Sequence, residues 1–287
     1  MRDRSAIIEG LESARISMGE LKKIAFEEQP KEIKDRVKGY WSKRADSFAE
    51  LREHEIKSDK ADRWLTEILT KITDAAMEDA DEMAGAVADK DTLQIKVLDV
   101  GCGSGFFEVL LGQHGFEVTG IDLTEEMVAK ANGMIAEYGL DAERVKALVM
   151  DAENPDFAPE SFDVIITRNL TWTLPHPIEA YGKWYALLKK GGILLNYDAE
   201  YAKGAHNLSL PENKAHNMMS DALKEECHDI YHMLSISALP RPSWDEEVLR
   251  KIGFSYVSLD QTVGSRIYAE MDEFHIPDAM FGIVARK

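Results

Sequence analysis

The chain has 287 residues, 45% of them hydrophobic, enough to bury a full core as one elaborated domain or two small ones. Its 34 lysines and arginines against 52 aspartates and glutamates give a formal charge of −18. That balance argues against a nucleic-acid or anionic-membrane surface, because both are bound through basic patches that release counterions. Cys102 and Cys227 are the only cysteines, too few for a disulfide framework, and no Cys-x-x-Cys pair is present for structural zinc. A reducing cytoplasm is the expected setting. The first twenty residues carry acids and no continuous apolar core, and no run reaches the roughly 18 apolar residues of a membrane span. Neither a signal peptide nor a membrane anchor is expected.

Residues 1–92 read as a polar, helical N-terminal extension. In "ADRWLTEILTKITDAAM" the side chains of Trp64, Leu65, Ile68, Leu69 and Ile72 share one helical face, and the acidic stretch "MEDADEMAGAVADKD" reads as the solvated end of that helix and a linker. From residue 93 the texture changes to short apolar runs alternating with helical patterns. Strands are expected at 95–100, 117–122, 145–150, 163–168 and 192–198, with helices at 106–114, 124–138 and 178–190. Thr124 is placed to N-cap the second of these helices, with Glu125 and Glu126 in its first turn and Gly139 at its end. Residues 200–242 form a helical cap insertion. Ser243-Trp244-Asp245-Glu246 has capping-box spacing before a C-terminal helix, and two last strands are expected at 254–262 and 279–286. Strand-helix alternation of this kind predicts an α/β fold: a doubly wound, mostly parallel, seven-stranded sheet whose core comprises 93–199 and 243–287.

The stretch "DVGCGSG" at 99–105 follows the first strand and precedes a helix, so its glycines sit at the carboxyl edge of the sheet, where open α/β sheets bind ligands. Asp122 lies 21 residues after Gly101, at the end of the second strand, where a carboxylate can accept hydrogen bonds from a ribose diol. A dinucleotide fingerprint would read G-x-G-x-x-G; here Gly101, Gly103 and Gly105 alternate.

This D-x-G-x-G-x-G pattern resembles the first motif of class I S-adenosylmethionine-dependent methyltransferases. The resemblance covers about residues 95–200, through "VLDVGCGSG", "GIDLTEEMVAKA", "MDAENPDFAPESFDVIITRN" and the Lys-Lys-Gly-Gly-Ile-Leu turn. It is strongest to the type 11, ubiquinone/menaquinone-biosynthesis-like small-molecule branch. It implies a Rossmann-like methyltransferase fold, S-adenosyl-L-methionine as cofactor, S-adenosyl-L-homocysteine as product and a small-molecule acceptor for a monomer or homodimer. By matching position, Asp99 would orient the loop and meet the methionine ammonium. Gly101, Gly103 and Gly105 would let the backbone approach, and Asp122 would hold the ribose hydroxyls. Leu123 and Met127 would flank the adenine, Asp151 would accept from its amino group, the Ala152 N–H would donate to a ring nitrogen, and Asn169 would line the methionine end. The segment "GYWSKRADSF" resembles the lid before this family's core, with Tyr40 as the expected cofactor contact; alternatively Trp41, Ala45 and Phe48 merely pack a helix there.

Methyl transfer asks the protein mainly for in-line placement and desolvation. Acceptor candidates therefore come from the variable segments 171–177, 200–242 and 263–277: Trp172, Tyr197, Asp198, His206 and Arg266. Each also has a plain structural reading: Trp172 as a hydrophobic seal, His206 as a solvated side chain, Arg266 as a surface ion pair. No residue is singled out as the catalytic group. Cys102 reads as a small packing residue. His228 and His232, four apart beside Cys227, could share a divalent ion, but no complete ligand motif is present and no metal is expected. Two other readings stand beside methyl transfer: a nicotinamide-dependent oxidoreductase using the same crevice, and a cofactor-binding regulatory protein without catalysis.

Overall fold

The computed structural model describes residues 32–78, 95–201, 205–217 and 219–287. The expectations for residues 1–31 and for the acidic linker lie outside them. Short apolar runs bounded by glycine and polar residues become the strands β1 Lys96–Val100, β2 Glu117–Asp122, β3 Val145–Val149, β4 Phe162–Arg168, β5 Leu188–Ala199, β6 Tyr256–Asp260 and β7 Met280–Arg286. They form a seven-stranded sheet in the order β3-β2-β1-β4-β5-β7-β6. The pairs from β3 to β5 are parallel, and β7 runs antiparallel to both β5 and β6. Chain direction across the sheet reverses at β1 and β4, which opens a crevice beyond their carboxyl ends.

The helices are α1 Ile33–Ile56, α2 Asp59–Glu78, α3 Phe106–Gly112, α4 Glu125–Glu137, α5 Pro177–Leu187, α6 Asp221–Met233, α7 Ser243–Ile252 and α8 Val263–Ile267. Period-two alternation along the strands feeds two cores. Val97, Val164, Ile166, Ile193 and Leu195 pack on one face with Phe106, Phe107, Trp64 and Ile68. Leu98, Ile165 and Leu194 face the other way, toward Tyr181, Trp184, Trp244 and Val248. Helix α2 thus buries the face expected from its spacing, with Trp64 and Ile68 fully enclosed and Leu65, Leu69 and Ile72 at its margins. Helix α1 packs against α3, α4 and α6, which places it across the carboxyl end of the sheet. Around α6 the 200–242 insertion contributes two one-turn 3-10 helices, Ala205–Ser209 and Ser235–Ala238.

Two helix starts differ from expectation. Thr124 occupies the N-cap position of α4, but its hydroxyl donates to Asp122 and does not accept from a helix amide. Ser243 is the first residue of α7, behind Pro242, and its hydroxyl donates to the Pro240 carbonyl at 2.8 Å. In both cases a nearby acceptor wins over the helix amides.

Gly120, inside β2, is required by contact. A Cβ there would lie 2.1 Å from Glu108 Oε1 and 2.8 Å from Cys102 Cβ. Glu108 is fully buried, so its carboxyl has no solvent space to swing into. Gly120→Ala is expected to destabilise the fold by about 1–3 kcal/mol, the usual overpacking cost, read as a lower urea midpoint at unchanged slope.

Candidate active site

The crevice begins with the turn after β1. Gly101 and Cys102 donate their N–H groups to the Ile121 carbonyl at 2.8 and 3.0 Å, tying the turn to the end of β2. Asp122 completes that tie: its Oδ2 accepts from the Gly103 N–H at 3.1 Å, and its Oδ1 accepts from the Thr124 N–H at 2.9 Å and from the Thr124 hydroxyl. Burial pushes the Asp122 carboxyl above its ordinary pKa, against the pull of the Thr124 and Gly103 donors. Gly101 has φ 72°, and a Cβ on it would come 2.8 Å from Leu170 Cδ1, so the bare backbone is what leaves the turn open to its surroundings.

Above this turn lies an open cleft of about 790 Å³, counting the space that runs out to solvent. Gly101, Gly103, Asp122, Leu123, Met127, Asp151, Ala152 and Asn169 all line it, so eight of the eleven expected cofactor residues converge on one space. Leu123, Met127, Ala152, Leu174 and Pro175 supply apolar surface, while Asp122, Asp151 and Asn169 supply polar groups. The remaining wall comes from α1, through Lys34, Val37, Lys38, Trp41 and Phe48.

Three expected residues stand elsewhere. Tyr40 is buried on the side of α1 that faces α6, beside Cys227, while its helix neighbour Trp41 and Phe48 reach the cleft. Asp99 lies behind the turn, 2% exposed, against the Glu108 carboxyl. Burial pushes both carboxyls up, and Asp99 adds to the rise of Glu108 by repulsion. The pair therefore holds a proton that exposed carboxylates would have released. Gly105, with φ 93°, supports α3 from below, where a Cβ would come 2.9 Å from Ala131 Cα. Asp151 lines the cleft, but Lys34 Nζ donates to its Oδ2 at 2.7 Å and also meets Glu153 at 2.5 Å. An amino group seeking Asp151 would compete with Lys34.

Asn169 is the junction to a second space. It has φ 58°, its Oδ1 accepts from the Tyr201 hydroxyl at 2.7 Å, and its carbonyl accepts from Trp172 Nε1 at 2.9 Å. Beyond it a chamber of about 460 Å³ is walled by Tyr40, Trp41, Phe48, Trp172, Tyr201 and Tyr231, with Arg44, Arg52 and His216. Trp172 is central to these walls: its ring centroid lies 6.5 Å from Trp41, 5.6 Å from Tyr201 and 4.6 Å from Tyr231.

The other acceptor candidates are not brought there. Tyr197 points to the opposite core and stacks edge-on against Trp64 at 4.9 Å. Asp198 is fully buried and accepts from Arg241 Nη1 at 3.1 Å, from the Trp172 N–H at 2.9 Å and from the Thr171 hydroxyl, which makes it the anchor of the turn after β4. Arg266 pairs with Glu67 at 2.8 Å and Asp260 at 2.6 Å on the half-exposed edge of α8. His206 lies in the helix Ala205–Ser209, and its side chain is outside the described region. His228 and His232 bring their Nε2 atoms within 3.1 Å on the exposed face of α6, while Cys227 turns inward to Tyr40 and Tyr231. Among the described residues no group of three or more His, Cys, Asp or Glu is gathered to hold a metal ion. None of their helices is long and apolar enough to cross a membrane.

Sequence spacing does not show Arg44, Arg168, Leu170 or Lys34 as site residues. Arg168 ends β4, lines the cleft and stacks over Phe106 at 4.4 Å, Phe107 at 5.0 Å and Trp64 at 5.2 Å. Its charge is met by Glu55 of α1 at 3.1 Å. The one available signal is an arginine that closes a strand with the apolar run Val164-Ile165-Ile166.

The donor set fits an adenosyl cofactor. Asp122 presents a carboxylate where a diol would sit, apolar side chains flank the neighbouring space, and the bare glycine turn admits close backbone approach. Residues 98–196 match the family described as a methyltransferase domain. The chain is 37% identical over 107 residues to a phosphatidylethanolamine N-methyltransferase of Cereibacter sphaeroides, covering 36% of this chain and 51% of that protein. It is 36% identical over 99 residues to a ubiquinone biosynthesis O-methyltransferase of Stutzerimonas stutzeri, covering 34% of this chain and 41% of that one. The chain thus spans about half or less of the curated relatives it matches. Among solved structures, a phosphoethanolamine N-methyltransferase 2 of Haemonchus contortus in complex with S-adenosyl-L-methionine aligns with 67% of this chain and 48% of its own, at 21% identity and a TM-score of 0.47. The matched segment runs from β1 to β5 and contains the glycine turn, Asp122, Asp151 and Asn169, so residues 98–196 of this chain are similar to a methyltransferase domain.

Proposed function

We propose that the chain transfers a methyl group from S-adenosyl-L-methionine to an O, N, S or C nucleophile on a small molecule. The observation that carries this reading is the convergence of eight motif residues on one cleft that meets, at Asn169, a second, aromatic-walled space. When bound, the cofactor supplies a methyl group already activated on a positive sulfonium. The chain's own part is placement and exclusion of water. Asp122 would hold the ribose, with its backbone donors fixing its direction, and α1 would act as the lid through Trp41 and Phe48. Asn169 and Trp172 would set the approach of the acceptor from the chamber.

The chamber's titratable groups suit that division of labour. Burial pushes the Tyr201 and Tyr231 phenols and the Cys227 thiol up, so they stay protonated. Burial, with Arg44 and Arg52 nearby, pushes the His216 imidazole down to about 3, which leaves it a weak base. Rate would then come from positioning more than from proton removal.

The test is incubation of the full chain with methyl-labelled S-adenosyl-L-methionine and the small-molecule fraction of a cell extract. Label should appear in that fraction and fall sharply with Asp122→Ala. Stoichiometric cofactor binding with no label transferred would contradict catalysis and leave a binding protein.

A further inference from the structure

Among the described residues, the chamber beyond Asn169 is lined by two arginines and no carboxylate, in a chain of formal charge −18. Arg52 is ion-paired: its Nη1 donates to the fully buried Glu55, a carboxylate it shares with Arg168. Arg44 is not. It is 3% exposed, its Nε has no hydrogen-bond partner, and its guanidinium makes no ion pair among the described residues. Buried guanidinium groups are otherwise paired, because desolvating an unmatched charge is costly.

Among the described residues, nothing facing Arg44 supplies the missing charge. The groups that sense it are Tyr40 on its own helix, Cys227 on α6, and His216 in the insertion. Burial keeps the phenol and the thiol protonated and the imidazole neutral. Glu226 and Asp229 of α6 are engaged by Arg36 at 2.6 and 2.8 Å. Glu55 is shared among Arg52, Arg168 and Tyr268.

We infer that the methyl acceptor carries an anionic group, a carboxylate or a phosphate, which Arg44 binds inside the chamber while Trp41, Trp172, Tyr201 and Tyr231 enclose an apolar or aromatic body. The inference rests on the methyl-transfer reading, since it assigns the chamber to the acceptor. Arginine suits the task because its planar fork meets both anions with two parallel hydrogen bonds. Ring faces also attract cations. Arg44 within the same walls repels a cationic acceptor, so charge decides between the two.

Four probes of one shape test this on the full chain saturated with S-adenosylhomocysteine: benzoate, phenyl phosphate, benzamide and benzylamine, titrated by ligand-observed NMR. Benzoate or phenyl phosphate should bind at least about tenfold more tightly than benzamide, with benzylamine weakest. Arg44→Met should abolish the preference while leaving S-adenosylhomocysteine affinity unchanged and the melting temperature unchanged or higher. Arg44→Lys should keep part of it. Benzamide or benzylamine binding as tightly as the anions overturns the inference, and so does an anion preference that survives Arg44→Met. Should Arg44→Met fail to fold, the ranking of the four probes on the unaltered chain decides. Failure of S-adenosylhomocysteine to bind would instead contradict the methyl-transfer reading.

Discussion

Replacing Glu55 with glutamine is expected to cost about 3–5 kcal/mol of stability, the range found when one partner of a buried ion pair is removed and the other charge is left stranded. Glu55 is fully buried at the end of α1, where it meets Arg168 at 3.1 Å, Arg52, and the Tyr268 hydroxyl at 2.5 Å. Both arginines are almost fully enclosed. Arg168 cannot turn to solvent, because it is sandwiched by Phe106, Phe107 and Trp64. The cluster therefore joins α1, α2 and β4 directly beneath the cleft. Burial alone would raise the Glu55 carboxyl, but Arg168, Arg52 and the Tyr268 hydroxyl outweigh it and hold the group down at about 2, against 4.5 unfolded. A depressed folded pKa contributes stability above the unfolded value that is lost as pH falls toward the folded one. The stability gap between wild type and Glu55→Gln should thus be full near neutrality and shrink between pH 4.5 and about 2, by urea titration at each pH. Adding Arg168→Met to Glu55→Gln should recover part of the loss, since one stranded charge is gone. A gap independent of pH would contradict the assignment.

Asp122→Ala is expected to weaken S-adenosylhomocysteine binding by about 1.5–3 kcal/mol, the size of a charge-assisted hydrogen-bond loss. The effect has two sources in the geometry. The carboxylate is the acid at the tip of β2 facing the cleft, and it also holds the glycine turn in place through the Gly103 N–H at 3.1 Å. Removing it takes away a ribose acceptor and loosens the turn. Calorimetric titration of both proteins measures the difference, and equal affinities would remove Asp122 from the site.

Much of this architecture is legible in the chain itself, for local reasons. Strand β2 falls at 117–122 as its valine-threonine-isoleucine run requires, and β1, β3, β4 and β7 lie within one residue of expectation. Helix α5 stops at Leu187, three residues early, because Leu188 already pairs with Phe162 and draws the Lys-Lys-Gly-Gly segment into β5. The cleft-lining residues that spacing identifies lie mostly on strand ends and turns, where backbone position alone settles which way a group faces. Side-chain partnership is different. Asp99 turns from the cleft because Glu108 comes back from α3, and Asp198 is claimed by Arg241, 43 positions away. Tyr40 and Trp41 are adjacent on one helix, and which of them meets the cleft depends on how α6 packs against α1. Arg44 is one more polar residue of an amphipathic helix until the chamber is assembled around it.

The central claim is that the cleft above the glycine turn takes an adenosyl cofactor rather than a dinucleotide, and titration calorimetry of the full chain with S-adenosylhomocysteine and, separately, with NADH tests it most directly. The account predicts saturable binding of S-adenosylhomocysteine that Asp122→Ala weakens, and no saturable binding of NADH. Saturation by NADH with no binding of S-adenosylhomocysteine would contradict it.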